Sequence, residues 1–395
     1  MLTSEQKSEV TGLCQELIQQ PSNSGQEGGV AAALARFMRS KGFTEVVVDR
    51  YGSVIGTIRG KRPGPAILYD GHIDTVPVPE AGVWKHDPYS GEITNGKIYG
   101  RGSSDMKGAV AAMAAGAAAF AAENGGDFAG TIHVAGVVFE ELFEGVAARE
   151  ISSHFKPDVV VIGEASELNL KIGQRGRAEI VLETLGVPAH SANPEKGVNA
   201  VHSMLKLVEE VEKIVPGEQA VLGKGVAVLT DIISTPYPGA SVVPSHCRAT
   251  YDRRLLVGEK PAEVLKPYQE AARRLAQADP KFQGLVSFAK GKEKCYSGDF
   301  IEGERFFPGW LFDIQEEFIQ KSLAGLEAIG LKPGISHYSF CTNGSHYAGE
   351  AGIKTFGFGP SRENLAHTID EYIEVAQLHA AMGGYMAISK ALLNG

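Results

Sequence analysis

The sequence contains few cysteines, only four in 395 residues. They lie far apart in the chain, and no CxxC pair occurs. A disulfide framework and a cysteine-based zinc site are therefore not indicated.

A long hydrophobic segment is also missing. The most apolar run, AVAAMAAGAAAFAA, is rich in alanine and falls short of the roughly 20 residues that span a bilayer. The first residues, MLTSEQKSEV, are polar and helical in pattern, so they do not indicate a signal peptide. We therefore expect a cytoplasmic protein without a membrane partner.

Positive charge is not in excess. The chain has 38 Lys and Arg residues against 47 Asp and Glu residues, which gives a net charge of −9. This balance argues against nucleic acid and anionic membranes as partners. The composition is otherwise typical of a globular protein, with 43% hydrophobic residues, and the length predicts two domains.

Two kinds of pattern occupy different parts of the chain. Residues 1–174 and 296–395 alternate helix and strand patterns, which predicts an α/β domain with a mainly parallel sheet. Residues 175–295 contain two amphipathic helices and four strands, which predicts an inserted α+β domain of ordinary small size. In the α/β part, the helices are predicted at 4–20, 27–42, 106–124, 145–153, 313–329 and 371–393.

Side chains that can bind metal follow several predicted strands. His72 and Asp74 lie two apart at a strand end and so project to the same face, although an HxD pair alone is a weak signal. Glu140 and Glu141 are adjacent after a very apolar strand, and Glu164 directly follows DVVVIG. Adjacent carboxylates at that position would repel and lose hydration unless a cation met them.

Two further candidates lie in loops beside helices. Asp105 precedes the alanine-rich helix, where it could be a helix N-cap or a ligand. His367 precedes the final helix. Open α/β sheets bind ligands at the carboxyl ends of their strands, so we expect all these groups to converge there. One bridging carboxylate, with one histidine and one further carboxylate on each of two ions, would make a two-zinc hydrolytic site.

Five motifs occur in order along the chain: GHIDTVP, GRGSSDMKG, FEE, GEAS and AHTIDEY. With them the sequence resembles the co-catalytic metallopeptidases and deacylases, which include aminoacylase, acetylornithine deacetylase, succinyl-diaminopimelate desuccinylase and carboxypeptidase G. The resemblance covers the whole chain. It implies that the α/β part is a metallopeptidase catalytic domain and the inserted part a dimerisation or lid domain.

The resemblance implies two divalent metal ions. His72 and Glu164 would bind one, Glu141 and His367 would bind the other, and Asp105 would bridge them. Histidine and carboxylate ligands suit zinc, and cobalt or manganese are the alternatives.

The resemblance also implies catalytic roles. Asp74 would orient the His72 imidazole, and Glu140 would be the general base for a water shared by the two ions. His190 in the inserted domain would reach the active site of a partner subunit and stabilise the tetrahedral oxyanion, which implies a homodimer through that domain. A surface histidine is the alternative reading of His190.

Further matching positions concern substrate recognition. Arg175 and Arg254 correspond to arginines that contact a substrate carboxylate, and structural ion pairs are their alternative. Thr342 or Asn343 in CTNG would hydrogen-bond the substrate. Ser241 stands where many relatives have asparagine, so that amide donor is missing, and the identity of the substrate stays open.

We therefore expect a hydrolase that cleaves an amide bond in a small acylated amino acid or a short peptide. Dipeptidases, aminopeptidases and N-carbamoyl-amino-acid hydrolases are alternatives on this scaffold. The inserted unit with His190 disfavours the simpler aminopeptidases. A binding protein that has lost catalysis is disfavoured because Glu140 is retained. A two-metal phosphatase is disfavoured because no phosphate-cradling loop or arginine cluster accompanies the ligands.

Overall fold

The computed structural model describes residues 2–79 and 81–393. The chain divides into two compact units. The large unit comprises Met1–Gln174, Lys292–Glu302 and Leu311–Gly395, and the small unit comprises Arg175–Gly291 and Gly303–Trp310. The large unit contains a mixed, mainly parallel sheet with helices, and the small unit contains a separate antiparallel sheet, which confirms the predicted fold class.

The helices and strands of the described residues are numbered in chain order. The helices are α1 (Ser4–Ile18), α2 (Gly28–Ser40), α3 (Gly108–Glu123), α4 (Val146–Phe155), α5 (Ala200–Val211), α6 (Pro261–Ala278), α7 (Glu317–Ala328) and α8 (Val375–Leu393). The strands are β1 (Glu45–Val48), β2 (Val54–Arg59), β3 (Arg62–His72), β4 (Ile93–Thr94), β5 (Lys97–Tyr99), β6 (Ala129–Val137), β7 (Val159–Ile162), β8 (Leu170–Gln174), β9 (Gly176–Leu185), β10 (Glu218–Gln219), β11 (Gly223–Lys224), β12 (Val226–Thr235), β13 (His246–Leu255), β14 (Gln283–Phe288), β15 (Lys290–Lys294), β16 (Phe300–Glu304), β17 (Phe306–Phe307), β18 (Trp310–Leu311), β19 (Ile335–Tyr338), β20 (Lys354–Gly357) and β21 (Tyr372–Glu374). No helix within residues 2–79 and 81–393 has both the length and the hydropathy to cross a membrane.

The main sheet of the large unit has the strand order β1-β2-β6-β3-β7-β20-β8. The four central strands β6, β3, β7 and β20 run parallel to one another, whereas β2 and β8 pair antiparallel with β6 and β20 at either side. Their apolar residues are almost continuously buried, as expected for strands covered on both faces. Parallel neighbours bring their carboxyl ends to one edge of the sheet.

Helix α3 lies close against its neighbours because its residues are small. It packs against α1 and α8, and all but a few of its residues are buried. At Gly116, a Cβ atom would lie 3.0 Å from the Met382 carbonyl oxygen and 3.3 Å from Tyr385 Cβ. The distance between α3 and α8 therefore depends on this glycine.

We expect Gly116→Val to lower the free energy of unfolding by about 1–3 kcal/mol, because the branched side chain must push α3 from α8. Gly383→Val is the matched control, since a Cβ at Gly383 meets only Ile329 Cδ1 at 3.8 Å. Thermal unfolding of both variants compares them directly. Equal melting temperatures for the two variants would contradict the close packing of α3 on α8.

The small unit is built on an antiparallel sheet of order β12-β13-β9-β14, with the short β17 also paired to β9. Alternate residues of β9, such as Ile180 and Leu182, pack into a core with Met204 of α5 and Tyr268 of α6. Both helices thus cover one face of the sheet. The fifth strand, β17, was not among the four strands predicted for this unit, and it lies after residue 295 in the chain.

Helix α7 begins at Glu317 rather than 313, and helices α3 and α8 also begin later than the sequence pattern predicts. Helix α3 begins at Gly108 rather than 106, since Asp105 and Met106 have non-helical backbone angles. Asp105 is therefore not an N-cap. Helix α8 begins at Val375 rather than 371, because residues 372–374 pair as β21 with β5. The differences at α3 and α8 arise from contacts distant in sequence.

Candidate metal centre

The predicted metal-binding side chains meet at the carboxyl edge of the four parallel strands. His72 ends β3, two glutamates follow β6 after a short turn, and Glu164 follows β7. His367 comes from the loop after β20, and its φ of 61° places it in the left-handed region that non-glycine residues rarely adopt. Asp105 comes from the irregular segment before α3. Residues from five chain segments thus converge on one site.

Asp105 joins two histidines through its two carboxylate oxygens. Its Oδ1 lies 2.9 Å from His72 Nε2, and its Oδ2 lies 3.1 Å from His367 Nε2. Each imidazole also has a second carboxylate: Glu164 Oε1 is 3.4 Å from His72 Nε2, and Glu141 Oε2 is 3.1 Å from His367 Nε2. The site therefore consists of two histidine–carboxylate pairs linked by Asp105.

The orientation of His72 is set by a backbone carbonyl. His72 Nδ1 lies 2.9 Å from the carbonyl oxygen of Asp74 and 3.6 Å from the Asp74 carboxylate. The Asp74 carboxylate instead accepts hydrogen bonds from the backbone amides of Glu140 and Glu141, at 3.0 and 3.2 Å. The Asp74 backbone carbonyl thus orients the buried His72 imidazole. The Asp74 carboxylate fixes the turn that carries Glu140 and Glu141.

Glu140 is set apart from the histidine–carboxylate pairs. Its Oε2 lies 4.0 Å from His72 Nε2, and its Oε1 is buried without a hydrogen-bond partner among the described residues. A buried carboxylate oxygen without a partner is costly unless a bound group satisfies it. Glu140 is therefore available to a water or a substrate atom.

The buried carboxylates of the cluster would be stabilised by nearby positive charge. Burial raises the pKa of Glu140, Glu141 and Glu164 above the ordinary value. Hydrogen bonds to Asp105 and Glu141 raise the pKa of His367 to about 10. The imidazole is thus held as a cation by the carboxylates, and divalent ions would supply such positive charge more strongly.

The residues present fit a pair of divalent metal ions. Two overlapping groups have ligand atoms within 4.8 Å of one another, one formed by His72, Glu140 and Glu164, the other by His72, Asp105 and Glu141. The donors are imidazole nitrogens and carboxylate oxygens, the ligand types of catalytic zinc sites. The Glu140 oxygen without a hydrogen-bond partner among the described residues and the number of carboxylates that share two imidazoles give the same indication.

The family comparison agrees with this geometry. The model of peptidase family M20/M25/M40 matches residues 68–391. The chain belongs to this family. As a member of it, the protein is a metallohydrolase of the peptidase and deacylase class.

Individual relatives of this M20 chain cover nearly its full length. The Uncharacterized protein YgeY of Escherichia coli (strain K12) is 31% identical over 389 residues, covering 97% of this chain and 94% of that protein. A succinyl-diaminopimelate desuccinylase of Cereibacter sphaeroides is 29% identical and covers 96% of this chain and 97% of that one. The crystal structure of Bacillus subtilis YXEP, a dinuclear metal binding peptidase from the M20 family, has a TM-score of 0.73 with 13% identity and 99% coverage of both chains. The last likeness concerns the fold.

The side chains of Thr342 and Asn343 in this M20 chain form hydrogen bonds within the protein. Thr342 Oγ1 donates to Gln174 Oε1 at 2.6 Å. Asn343 Nδ2 donates to Asp70 at 3.0 Å, and its Oδ1 accepts from the Gly145 amide at 2.8 Å. Both side chains are buried. Asn343 thus connects the loop after Glu144 to β3, and Thr342 contacts the end of β8.

Arg175 and Arg254 lie in the small unit with partners inside the protein. Arg175 Nη1 donates to the Lys224 carbonyl oxygen at 3.1 Å. Arg254 pairs with Asp252 at 2.9 Å and keeps 30% of its side chain exposed. A structural ion pair thus accounts for one contact of Arg254, and the exposed part of its side chain is accessible to solvent.

His190 and Ser241 lie side by side in the small unit. The His190 backbone forms a bridge with Val242, and the Ser191 amide donates to the Ser241 carbonyl oxygen at 2.9 Å. The Ala192 amide donates to His190 Nδ1 at 3.0 Å. This bond makes Nδ1 the acceptor, so the neutral ring carries its proton on Nε2. His190 therefore presents a hydrogen-bond donor from an exposed side chain.

Several residues that support the site were not singled out from the sequence: Ser24, Glu27, Arg101 and Glu371. Ser24 Oγ donates to the Asp74 carboxylate at 2.7 Å, and Glu27 accepts from the Phe139 amide at 3.3 Å. The segment between α1 and the start of α2 thus contacts both Asp74 and the turn after β6. Arg101 lies inside the motif GRGSSDMKG and Glu371 inside AHTIDEY, and these positions could have indicated both residues from the sequence.

Proposed function

We propose that this M20 metallohydrolase is a zinc-dependent enzyme that hydrolyses the amide bond of a small N-acyl amino acid or short peptide. The observation that carries the proposal is Asp105, whose two oxygens face His72 and His367, each paired with a second carboxylate. This is the arrangement expected of a carboxylate that bridges two ions. The desuccinylase relative acts on an N-acyl compound by its name, which supports this substrate class.

In this proposal, His72 and Glu164 hold one ion, Glu141 and His367 hold the other, and Asp105 bridges them. Cobalt or manganese could replace zinc with the same donors. When bound, the ions supply Lewis-acid polarisation of a carbonyl and a water of lowered pKa.

Glu140 has the position of a general base and acid. It accepts the proton of the attacking water and returns it to the amide nitrogen as the C–N bond breaks. Its Oε1 has no hydrogen-bond partner among the described residues, which supports this assignment because the oxygen is open to a water molecule. The Asp74 carboxylate keeps Glu140 in place through the Glu140 amide. Glu141 differs from its neighbour because it contacts His367.

His190 is proposed as the donor to the tetrahedral oxyanion. Its Nε2–H, set by the Ala192 amide, is the group that would bind the developing negative charge. We propose that it acts across a homodimer formed through residues 175–295, with residues 1–174 and 296–395 as the catalytic domain. Arg254 would bind a substrate carboxylate, with Arg175 as a second candidate and Ser241 beside His190 affecting which acyl group fits.

The experiment is a hydrolysis screen on zinc-loaded protein. The panel holds N-acetyl, N-succinyl and N-carbamoyl amino acids beside dipeptides, and protein stripped with a chelator is the control. We expect turnover of at least one acyl class that disappears on stripping and returns with zinc. Hydrolysis only of dipeptides with a free amino terminus would favour the peptidase alternative, and equal turnover in stripped protein would refute metal dependence.

A further inference from the structure

The segment that carries Asp105 leaves backbone amides without helical partners. Asp105 and Met106 have φ, ψ angles of −131°, 93° and −137°, 35°, so the first turn before α3 is not a regular helix. Buried amides in such a segment need acceptors from elsewhere in the chain. Here a single side chain from a distant loop supplies them.

That side chain is Glu371. Its Oε1 accepts hydrogen bonds from the Ser104 amide at 2.8 Å and from the Asp105 amide at 3.1 Å. The Glu371 carbonyl oxygen also accepts from the Gly100 amide at 2.9 Å. Glu371 is fully buried. A glutamate four residues after His367 thus fixes the backbone of Asp105.

The charge of Glu371 is matched by Arg101, which is also buried. Arg101 Nη1 donates to Glu371 Oε2 at 2.6 Å and to the Thr368 carbonyl oxygen at 3.2 Å. The Trp84 ring lies over the guanidinium, with 5.2 Å between the Arg101 Cζ atom and the ring centroid. The pair is therefore shielded from water, where its attraction is stronger than at a surface.

The loop that bears His367 needs such a restraint. His367 and Asp370 both have positive φ, at 61° and 54°, which is unfavourable for residues with side chains. Arg101 holds this loop at Thr368 and Glu371, and Glu371 holds Asp105. The 3.1 Å separation of His367 Nε2 and Asp105 Oδ2 therefore depends on this link.

We propose that Arg101 and Glu371 form a positioning clamp, the Arg101–Glu371 clamp, which sets the geometry of the Asp105 and His367 ligands. The clamp rests on the proposed metal-dependent function. The clamp contacts the candidate ligands at the backbone amide of Asp105, which donates to Glu371 Oε1. Groups that orient ligands from outside commonly contribute 10- to 100-fold in metal affinity.

The test is a Co²⁺ titration of the full chain, followed by the visible d–d absorption and by competition with a chelator. We expect Glu371→Ala to weaken Co²⁺ binding by about 10- to 100-fold and to change the absorption spectrum. Glu371→Gln retains an oxygen for the two amides, so we expect it to bind Co²⁺ better than Glu371→Ala and less well than the wild type. Glutamine has almost the same volume as glutamate, so weaker binding by Glu371→Gln than by the wild type would not follow from a general loss of packing.

Glu374→Ala is the matched control. Glu374 lies three residues further on, and its side chain pairs with Arg362 at 3.5 Å at the protein surface, so wild-type affinity is expected. Circular dichroism of the metal-free proteins checks folding, and if Glu371→Ala does not fold, the loss in Glu371→Gln decides. Wild-type affinity and spectrum in the folded Glu371 variants would overturn the clamp alone. A wild-type protein that binds no Co²⁺ would overturn the proposed function and the clamp together.

Discussion

Replacing Glu140 by glutamine is expected to lower the rate of amide hydrolysis by about 100- to 10,000-fold while the bound ions remain. The reason is that the two adjacent glutamates in the turn after β6 have different contacts. Glu140 Oε1 has no partner among the described residues, whereas Glu141 contacts His367 at 3.1 Å. Glutamine preserves the size of Glu140 but removes its negative charge and its ability to accept a proton, and it replaces one acceptor oxygen by an amide donor. Steady-state kinetics and elemental analysis measure the two properties separately.

Glu141→Gln provides the comparison for this prediction. The same replacement of a carboxylate oxygen by an amide group is made at the adjacent glutamate. We expect the Glu141→Gln protein to lose metal affinity as well as activity. Because Glu140 also lies within ligand reach of His72 and Glu164, the comparison tests its role directly. An ion lost from Glu140→Gln would make Glu140 a ligand, and full activity in Glu140→Gln would exclude it as the base.

The second large effect is expected for Asp105→Asn. The substitution removes the charge that faces both histidines and replaces one acceptor oxygen by an amide donor. We expect the increase in melting temperature caused by zinc to be largely lost, because the stabilisation by a ligand grows with the logarithm of its concentration relative to Kd and vanishes when Kd far exceeds that concentration. Hydrolysis should fall by about 1,000-fold or more, since both halves of the site share this carboxylate.

The control for Asp105→Asn is Asp127→Asn. Asp127 pairs with Arg62 at 3.2 Å on the surface, where both side chains are more than half exposed. Such a pair contributes about 0–1 kcal/mol, so the zinc response should match the wild type. A zinc-induced shift of wild-type size in Asp105→Asn would show that Asp105 does not bridge the ions.

The sequence could predict which residues converge but not all of their contacts. His72, Glu140 and Glu164 follow apolar strands that are central and parallel, so their meeting at one edge follows from the α/β pattern. Asp105 and His367 come from irregular segments, and the ordered motifs indicated them where periodicity could not. The distances that pair each histidine with its carboxylates depend on the fold as a whole.

Local geometry was harder to predict because it depends on partners distant in sequence. The nonhelical backbone at Asp105 is held by Glu371, 266 residues away. Asp74 was predicted to orient His72 with its carboxylate, yet that carboxylate is taken by amides after β6. Thr342 or Asn343 was predicted to contact substrate, and the Asn343 side chain already forms hydrogen bonds with Asp70 and Gly145. The substrate contacts of Thr342 and Asn343 remain predictions.

The most direct test of the account is the zinc content of the wild-type protein. The chain is loaded with zinc, freed of unbound metal by dialysis, and its zinc-to-protein ratio is measured by elemental analysis. Two histidine–carboxylate pairs joined by Asp105 predict two zinc ions per chain. A protein that retains no zinc would contradict the metal centre, and one that retains a single ion would contradict its bridged, two-ion form.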